Sequence, residues 1–405
     1  MNPSGPTGGG YRLALDRLGP HLWGLPKNEL AVPPKAAETI RLILRDATPR
    51  SAEAASTTGT GVPARPDEVP VPRVPWFILT GILGLPDRGP WEKTAFEIDF
   101  DFRGVPVTLA HRKCGLRLEV WGADSEQAEA LARAFFARLR KAIAVLDKQV
   151  LLPVAATQLA AGRVTVGNKY HQLRGHYGYF REVVEACLAG EGRWMADGRA
   201  SGRLFPREQE AFINFTAAVH AYFSWLEHAL VLVLPFAGFD RTHDDLRAVI
   251  GASWREKFKQ VFDVATDQHA NRVLSRLIEL SERTRNTWSH GAFDKEEGLL
   301  YVHLPSIGAT PMRVSDYSKN VHFAGLMGVH VDFPGSWRLL DEIDAFLNAS
   351  PVSRHGMRYA EAGLQVVFDS RSRRRYSEAM QSDEEFERFI ERESEREDRV
   401  HNMDW

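Results

Sequence analysis

The segment from Pro206 to Leu234 constrains the fold more than any other, because polar side chains are scarce on every face of it. A helix that is apolar all round must be buried, so this segment belongs at the centre of a helical bundle. It is not read as a membrane span. Between Phe212 and Ala237 it is interrupted by Asn214, His220, Glu227 and His228, and no uninterrupted part reaches the roughly 20 residues that a bilayer requires. His220, Ser224 and Glu227 fall at i, i+4 and i+7, so they form one polar line along an otherwise apolar helix. Such a line needs partners.

The chain has 405 residues, enough for two or three domains. Its formal net charge of −2 excludes broad electrostatic capture of nucleic acid, so any RNA contact must come from a local patch. Cys114 and Cys187 are the only cysteines, and neither has a partner at metal-ligand spacing. That fits a reducing compartment, with both thiols packed as small hydrophobes. Met1 to Gly10 lacks the basic and apolar regions of a signal peptide. The expectation is a cytoplasmic protein with no membrane partner.

Taken in order, residues 1–75 read as an amino-terminal arm and flexible linker. Ala37 to Leu44 is a strand or a brief helix, and Ala47 to Arg73 is Gly/Pro/Ser-rich and loop-like. Residues 76–150 read as a small α/β domain. Trp76 to Leu85 is an apolar run between prolines, expected as a buried strand. Phe96 to Phe102 alternates strictly, which predicts a strand with aromatic and aliphatic side chains on one face. Val105 to Ala110 and Leu116 to Trp121 are further strands, with Arg103-Gly104 as the first turn. Ser125 to Leu146 is an amphipathic helix. Glu97, Asp99 and Asp101 alternate opposite the aromatics, and the expectation is a solvated strand face rather than a metal site.

Residues 151–205 form a connecting segment. Within it, Lys169 to Arg181 interleaves four aromatics with Lys169, Arg174, Arg181, His171 and His176. Bases stack on rings and cations follow the backbone, so Lys169 and Arg174 are candidate RNA-binding residues. The other reading is a loop leading into a helix that packs its tyrosines on a neighbouring domain. Residues 206–350 form the helical domain. Asp244 to Val264 is a helix with Ile250, Trp254, Phe258 and Phe262 inward, and Gln268 to Ser289 presents Val273, Leu277 and Leu280 to the core. Leu299 to Val314 is an inserted β-hairpin, and Trp337 to Leu347 is a short closing helix. Residues 351–405 read as a charged carboxy-terminal tail, with a strand at Gly363 to Asp369, an arginine cluster at Arg371 to Arg375 and a solvated helix from Ser382 to Arg399.

At the end of the Gln268 helix lies Ser281-Glu-Arg-Thr-Arg-Asn-Thr-Trp-Ser-His-Gly291. An arginine is permanently cationic and forks onto phosphate oxygens, while a histidine moves protons near neutral pH. Together they are a minimal set for cutting a phosphodiester: one residue for charge, one for the proton. Arg285 and His290 are five apart, about 140° around an ideal helix, whereas Arg283 and His290 are seven apart and within about 20°. Either the last turn loosens or Arg283 is the in-line partner. Asn286 lies i, i+4 from His290 and can orient the imidazole.

This arrangement resembles the HEPN superfamily of helical ribonucleases, whose motif is an arginine, four to six residues, then a histidine. Asn286 matches the small polar residue favoured after that arginine, which makes Arg285 the motif arginine and leaves Arg283 as a second, substrate-binding candidate. Glu227 resembles the acidic or polar residue on the facing helix, with His220 as a further candidate beside it. The resemblance implies metal- and cofactor-independent RNA cleavage to a 2′,3′-cyclic phosphate and a 5′-hydroxyl by a homodimer with a shared site. It also implies a phage-defence or toxin effector gated by an amino-terminal sensing domain, whose trigger is phage-derived or a nucleotide. The expected fold is α+β multidomain: a small α/β domain, then a HEPN-like bundle with an inserted hairpin. The alternatives are a non-catalytic HEPN-like module for nucleotide binding or assembly, and a scaffold with no chemistry.

Overall fold

The computed structural model describes residues 30–50, 59–113, 115–198, 206–239, 246–282, 299–314, 321–323 and 332–402. Its class is mixed α and β, mainly helical, with a five-stranded antiparallel sheet. The chain divides into two units, residues 1–159 with 394–405, and residues 160–393.

In the first unit the elements are α1 (Pro34–Ile43), β1 (Ala47–Pro49), β2 (Gly59–Pro63), α2 (Arg73–Phe77), β3 (Thr94–Phe102), β4 (Val105–Arg112), β5 (Gly115–Trp121), α3 (Ser125–Leu146) and α4 (Leu152–Ala160). The sheet order is β1-β3-β4-β5-β2, every pair antiparallel. Phe102 pairs with Val105 across a two-residue loop, and Arg103 and Gly104 both take positive φ, 53° and 75°. That is the turn whose twist matches a β-hairpin, as the Arg-Gly pair predicts. Phe96, Ile98, Phe100 and Phe102 meet Phe135 and Leu139 of α3 in one core. Asp124 caps α3, accepting the Gln127 N–H at 2.9 Å.

Three readings of this region are corrected. The span 47–73 is not only linker, because β1 and β2 close the two edges of the sheet. Trp76 to Leu85 is helical rather than a strand: α2 runs into a π-turn over Ile78–Ile82. Ile78, Leu79 and Ile82 then share one buried face, and a short apolar run does not by itself distinguish the two geometries. The carboxylates of β3 are not solvated. Glu97 and Asp99 are buried, 6% and 7% exposed. Arg112 bridges Glu97 and Glu119, and Asp99 takes Arg50 at 3.0 Å, Arg88, and the Thr108 hydroxyl at 2.6 Å. Cross-strand arginines make that burial tolerable.

One described helical run, Ser125–Ala160, is long and apolar enough by length and composition to cross a membrane. Its first part is the amphipathic α3, which buries Ala128, Ala132, Phe135, Phe136 and Leu139 in the sheet's core.

The second unit contains β6 (Thr165–Val166), α5 (Tyr170–Ala189), α6 (Arg193–Ala196), α7 (Pro206–Val233), α8 (Leu246–Gly251), α9 (Trp254–Val261), α10 (Gln268–Leu280), β7 (Leu299–Leu304), β8 (Gly308–Val314), β9 (Val321–Phe323), α11 (Phe333–Ala349), α12 (Arg354–Glu361), β10 (Val366–Val367), α13 (Ser370–Ala379) and α14 (Asp383–Asn402, in this unit to Glu393). As its composition dictates, α7 is the central element; Phe215, Tyr222, Phe223, Trp225 and Leu226 are all buried. α5 lies along it and turns inward Tyr170, Tyr177, Val184 and Cys187, at helical spacing. The inserted β-region is a hairpin of β7 and β8 with β9 added beside β8.

The helix expected over 244–264 is broken in two. Ser253 starts α9 with a capping box, accepting the Glu256 N–H while the Glu256 carboxylate accepts the Ser253 N–H. Trp254, Phe258 and Phe262 are buried as the spacing predicts, but Ile250 falls before the break and is 44% exposed.

The carboxy-terminal segment is not a tail. Tyr359, Tyr376, Phe386 and Phe389 pack around Phe236 from the end of α7, and β10 pairs with β6. Arg373, in the arginine cluster, donates to the Phe239 carbonyl at 2.6 Å, and Arg375 holds Glu393. The aromatics every three to ten residues among the charges anchor it; the charges dominated the sequence reading.

Candidate functional site

Arg283, Arg285, Asn286 and His290 lie outside the described residues. What is described is the element that leads to them. Asp267 caps α10, accepting from the His269 and Ala270 N–H groups at 2.8 and 3.0 Å. Ala270, Val273, Leu274, Leu277 and Leu280 then fix α10 in the core. Ser281 is buried, and Glu282 accepts a hydrogen bond from Arg255 of α9 at 2.9 Å. The chain is therefore held on both sides, by packing and by an ion pair, up to the residue before Arg283.

α9 makes a second charged contact. Lys257 donates from Nζ to Glu227 Oε1 on α7 at 2.6 Å, with its own side chain 4% exposed and that of Glu227 34%. The polar line on α7 thus meets a lysine of the next helices, which is the partner the structure gives Glu227. Ser224, further along the line, is exposed and its hydroxyl donates to the His220 carbonyl at 2.9 Å. His220 is half-buried.

His228 adjoins this pair. Its Nε2 accepts the backbone N–H of Lys169 at 2.9 Å, which places the ring proton on Nδ1. Burial, with Lys169 and Lys257 as neighbouring cations, pushes its pKa down to about 4, so the ring is neutral at physiological pH. Val166, Ser224, Glu227, His228, Val231, Ile250 and Lys257 line an open hollow of about 330 Å³. Its lining brings together a carboxylate, an ammonium, a neutral imidazole and a hydroxyl with three aliphatic side chains.

The sequence reading did not single out Lys257 or His228 as site residues. For Lys257 a signal existed. Trp254, Lys257, Phe258 and Val261 form the buried stripe of α9, and a lysine on such a stripe requires a buried acid.

Lys169 and Arg174 are separated in role. Lys169 binds, through its backbone N–H, His228, which lines the hollow. Arg174 is committed elsewhere: it pairs with Asp344 of α11 and lies 4.5 Å from the Trp225 ring centroid. Tyr222 donates to the other oxygen of Asp344 at 2.9 Å. Burial pushes the Asp344 carboxyl up, and Arg174 opposes that shift. Arg181 is likewise held by Asp341 at 2.6 Å. Tyr170 and Tyr177 are core residues of the helical unit itself, so the segment is a helix from Tyr170 that packs these tyrosines within its own unit rather than on a neighbouring domain.

Among the described residues no group of three or more His, Cys, Asp or Glu side chains could hold a metal ion. Comparison with protein-family models, curated proteins and solved structures gives no match.

Proposed function

We propose that this chain is a metal-independent endoribonuclease of the HEPN type, a cytoplasmic effector of a phage-defence or toxin system. The carrying observation is that α10 is packed into the bundle and pinned by Arg255–Glu282 immediately before Arg283-Thr-Arg285-Asn286-x₃-His290. A rigid element leading into a catalytic pair is what in-line phosphodiester chemistry requires.

In this reading the ribose 2′-hydroxyl attacks the adjacent phosphorus and displaces the 5′-oxygen, leaving a 2′,3′-cyclic phosphate and a 5′-hydroxyl. His290 moves the proton, Arg285 carries the charge that develops on the phosphorane, and Asn286 orients the imidazole. Glu227, with Lys257, sets the local charge on the facing helix. Arg283, Lys169 and His220 serve to bind RNA. The active unit is a homodimer, and the amino-terminal unit senses a phage-derived or nucleotide trigger. The test is incubation of purified protein with total RNA, with and without EDTA, beside His290→Ala. Cleavage that resists chelation and disappears with His290 is expected. Cleavage by the variant at the wild-type rate would refute the reading.

One observation favours the non-catalytic alternative, a nucleotide-binding module. The hollow beside Glu227 and Lys257 has the mixture of polar rim and aliphatic wall found in small-molecule sites. Under that reading His290→Ala leaves nucleotide binding intact and no RNA is cut.

A further inference from the structure

We propose that the hollow formed by α7, α8, α9 and β6 binds a guanine base, with Glu227 and Lys257 reading its edge. The inference rests on the hollow alone, and it stands whether or not the chain cuts RNA.

The charges exclude simple ions. An anion seated there meets Glu227, and a cation meets Lys257, whose side chain is almost wholly buried. A neutral ligand with both donors and acceptors on one edge satisfies both. Lys257 has three N–H donors and gives one to Glu227 Oε1. Glu227 Oε2 has no partner among the described residues, and a carboxylate accepts about four hydrogen bonds in all. His228 has its Nε2 occupied by the Lys169 N–H, so it offers a donor at Nδ1. Ser224, which lines the hollow, donates to the His220 carbonyl, which leaves its oxygen as an acceptor. The lining therefore holds both acceptors and donors.

The walls are Val166, Val231 and Ile250. These are aliphatic side chains suited to a ring face, and Ile250 is 44% exposed. A hollow of about 330 Å³ is at the small end of ligand sites, so it suits one heteroaromatic ring system rather than a larger molecule. Among the bases, guanine presents two parallel donors, N1–H and the exocyclic amine, which match the two lone-pair directions of a carboxylate. Its O6 accepts from Lys257 or His228. Adenine places an acceptor beside its amine and would face the carboxylate with a lone pair.

The base could reach the hollow from a free nucleotide or from single-stranded RNA, and the measurement separates them. The intact chain is titrated calorimetrically with GMP and AMP. It is also titrated with 2′-O-methyl oligouridylates carrying one central guanosine or one adenosine, which cannot be cut. At least one guanine ligand is expected to bind about tenfold or more tighter than its adenine counterpart. Glu227→Gln, which cannot pair with both donors, and Ser224→Tyr, which fills the mouth from an exposed position, are each expected to lose about tenfold or more. Binding of GMP assigns a free nucleotide, and binding confined to the guanosine oligomer assigns RNA. Equal binding of guanine and adenine, no binding of any guanine ligand at millimolar concentration, or wild-type binding by a folded Ser224→Tyr overturns the proposal. The Ser224 variant decides should Glu227→Gln fail to fold.

Discussion

Lys257 reaches through the buried face of α9 to place its Nζ 2.6 Å from Glu227 Oε1 on the central helix. The lysine is far more enclosed than its partner, 4% against 34% exposed. Removing the acid therefore leaves a buried cation without compensation, whereas removing both charges does not.

It follows that Glu227→Ala should destabilise the helical unit by about 3–5 kcal/mol, and Glu227→Ala with Lys257→Met by clearly less. Urea unfolding of wild type, both single variants and the double variant measures this coupling. Additive losses would show that the pair is not the reason the lysine is held there.

The neighbouring ion pair behaves differently. Arg255 and Glu282 are 37% and 28% exposed, so Arg255→Ala should cost at most about 1 kcal/mol of stability. It should nevertheless slow RNA cleavage, by roughly tenfold, because a small displacement before Arg283 carries into the reacting groups. Thermal unfolding and a single-turnover cleavage assay on the same preparation check both halves. An unchanged rate would mean that the pinning of Glu282 does not matter to the site.

His228 gives a pH dependence with a definite sign. Its pKa falls from the ordinary 6.5 to about 4 on folding, through burial and the cations Lys169 and Lys257. The unfolded chain then binds the proton that the folded chain refuses. Its contribution is constant above pH 6.5 and is lost as pH falls from 6.5 toward 4, on the order of 3 kcal/mol at most. His355, lowered by burial against Asp383, acts in the same direction, and Asp344, raised by burial, acts in the opposite one. The difference between wild type and His228→Gln isolates the one ring. Urea unfolding at pH 7 and pH 4.5 should show wild type losing stability relative to the variant; parallel losses would mean that the ring titrates normally.

The sheet hairpin, α3 and the apolar α7 were legible because each rests on a local rule: strict alternation, an amphipathic stripe, a segment with no polar face. What was not legible depends on distant partners. Glu97 and Asp99 look solvated until Arg112, Arg50 and Arg88 are brought over them by strand pairing. Arg174 and Arg181 look like an RNA-binding array until α11 supplies Asp344 and Asp341. Lys257 lies thirty residues from the carboxylate it completes. For the candidate site, the sequence supplied Glu227 and the Arg–His pair, and the structure added Lys257 and His228 around the first of these.

The two arginines of the motif should separate in assay. Arg285→Ala is expected to reduce cleavage by about 10²–10³-fold, the usual cost of removing a donor to a developing oxyanion. Arg283→Ala should do so by markedly less. Both should remain folded by circular dichroism. A reversed order would make Arg283 the motif arginine, consistent with its smaller angular separation from His290 on an ideal helix.

The last expectation is that cleavage needs two copies of the chain. A single Arg285–His290 pair offers little positive charge with which to grip and distort an RNA backbone. One imidazole also does not serve as base and acid in the same step. Two copies across a two-fold axis double both groups in one cleft, so that one His290 takes the proton of the 2′-hydroxyl and the other protonates the leaving 5′-oxygen. Light scattering should then give the mass of a dimer under the conditions of the assay. Wild type mixed with an excess of His290→Ala and allowed to exchange should lose more activity than dilution alone explains, because a mixed dimer holds a single intact imidazole. Cleavage by a protein that stays monomeric at the assay concentration would sink the shared-site reading, and it would leave both proton transfers to a single His290.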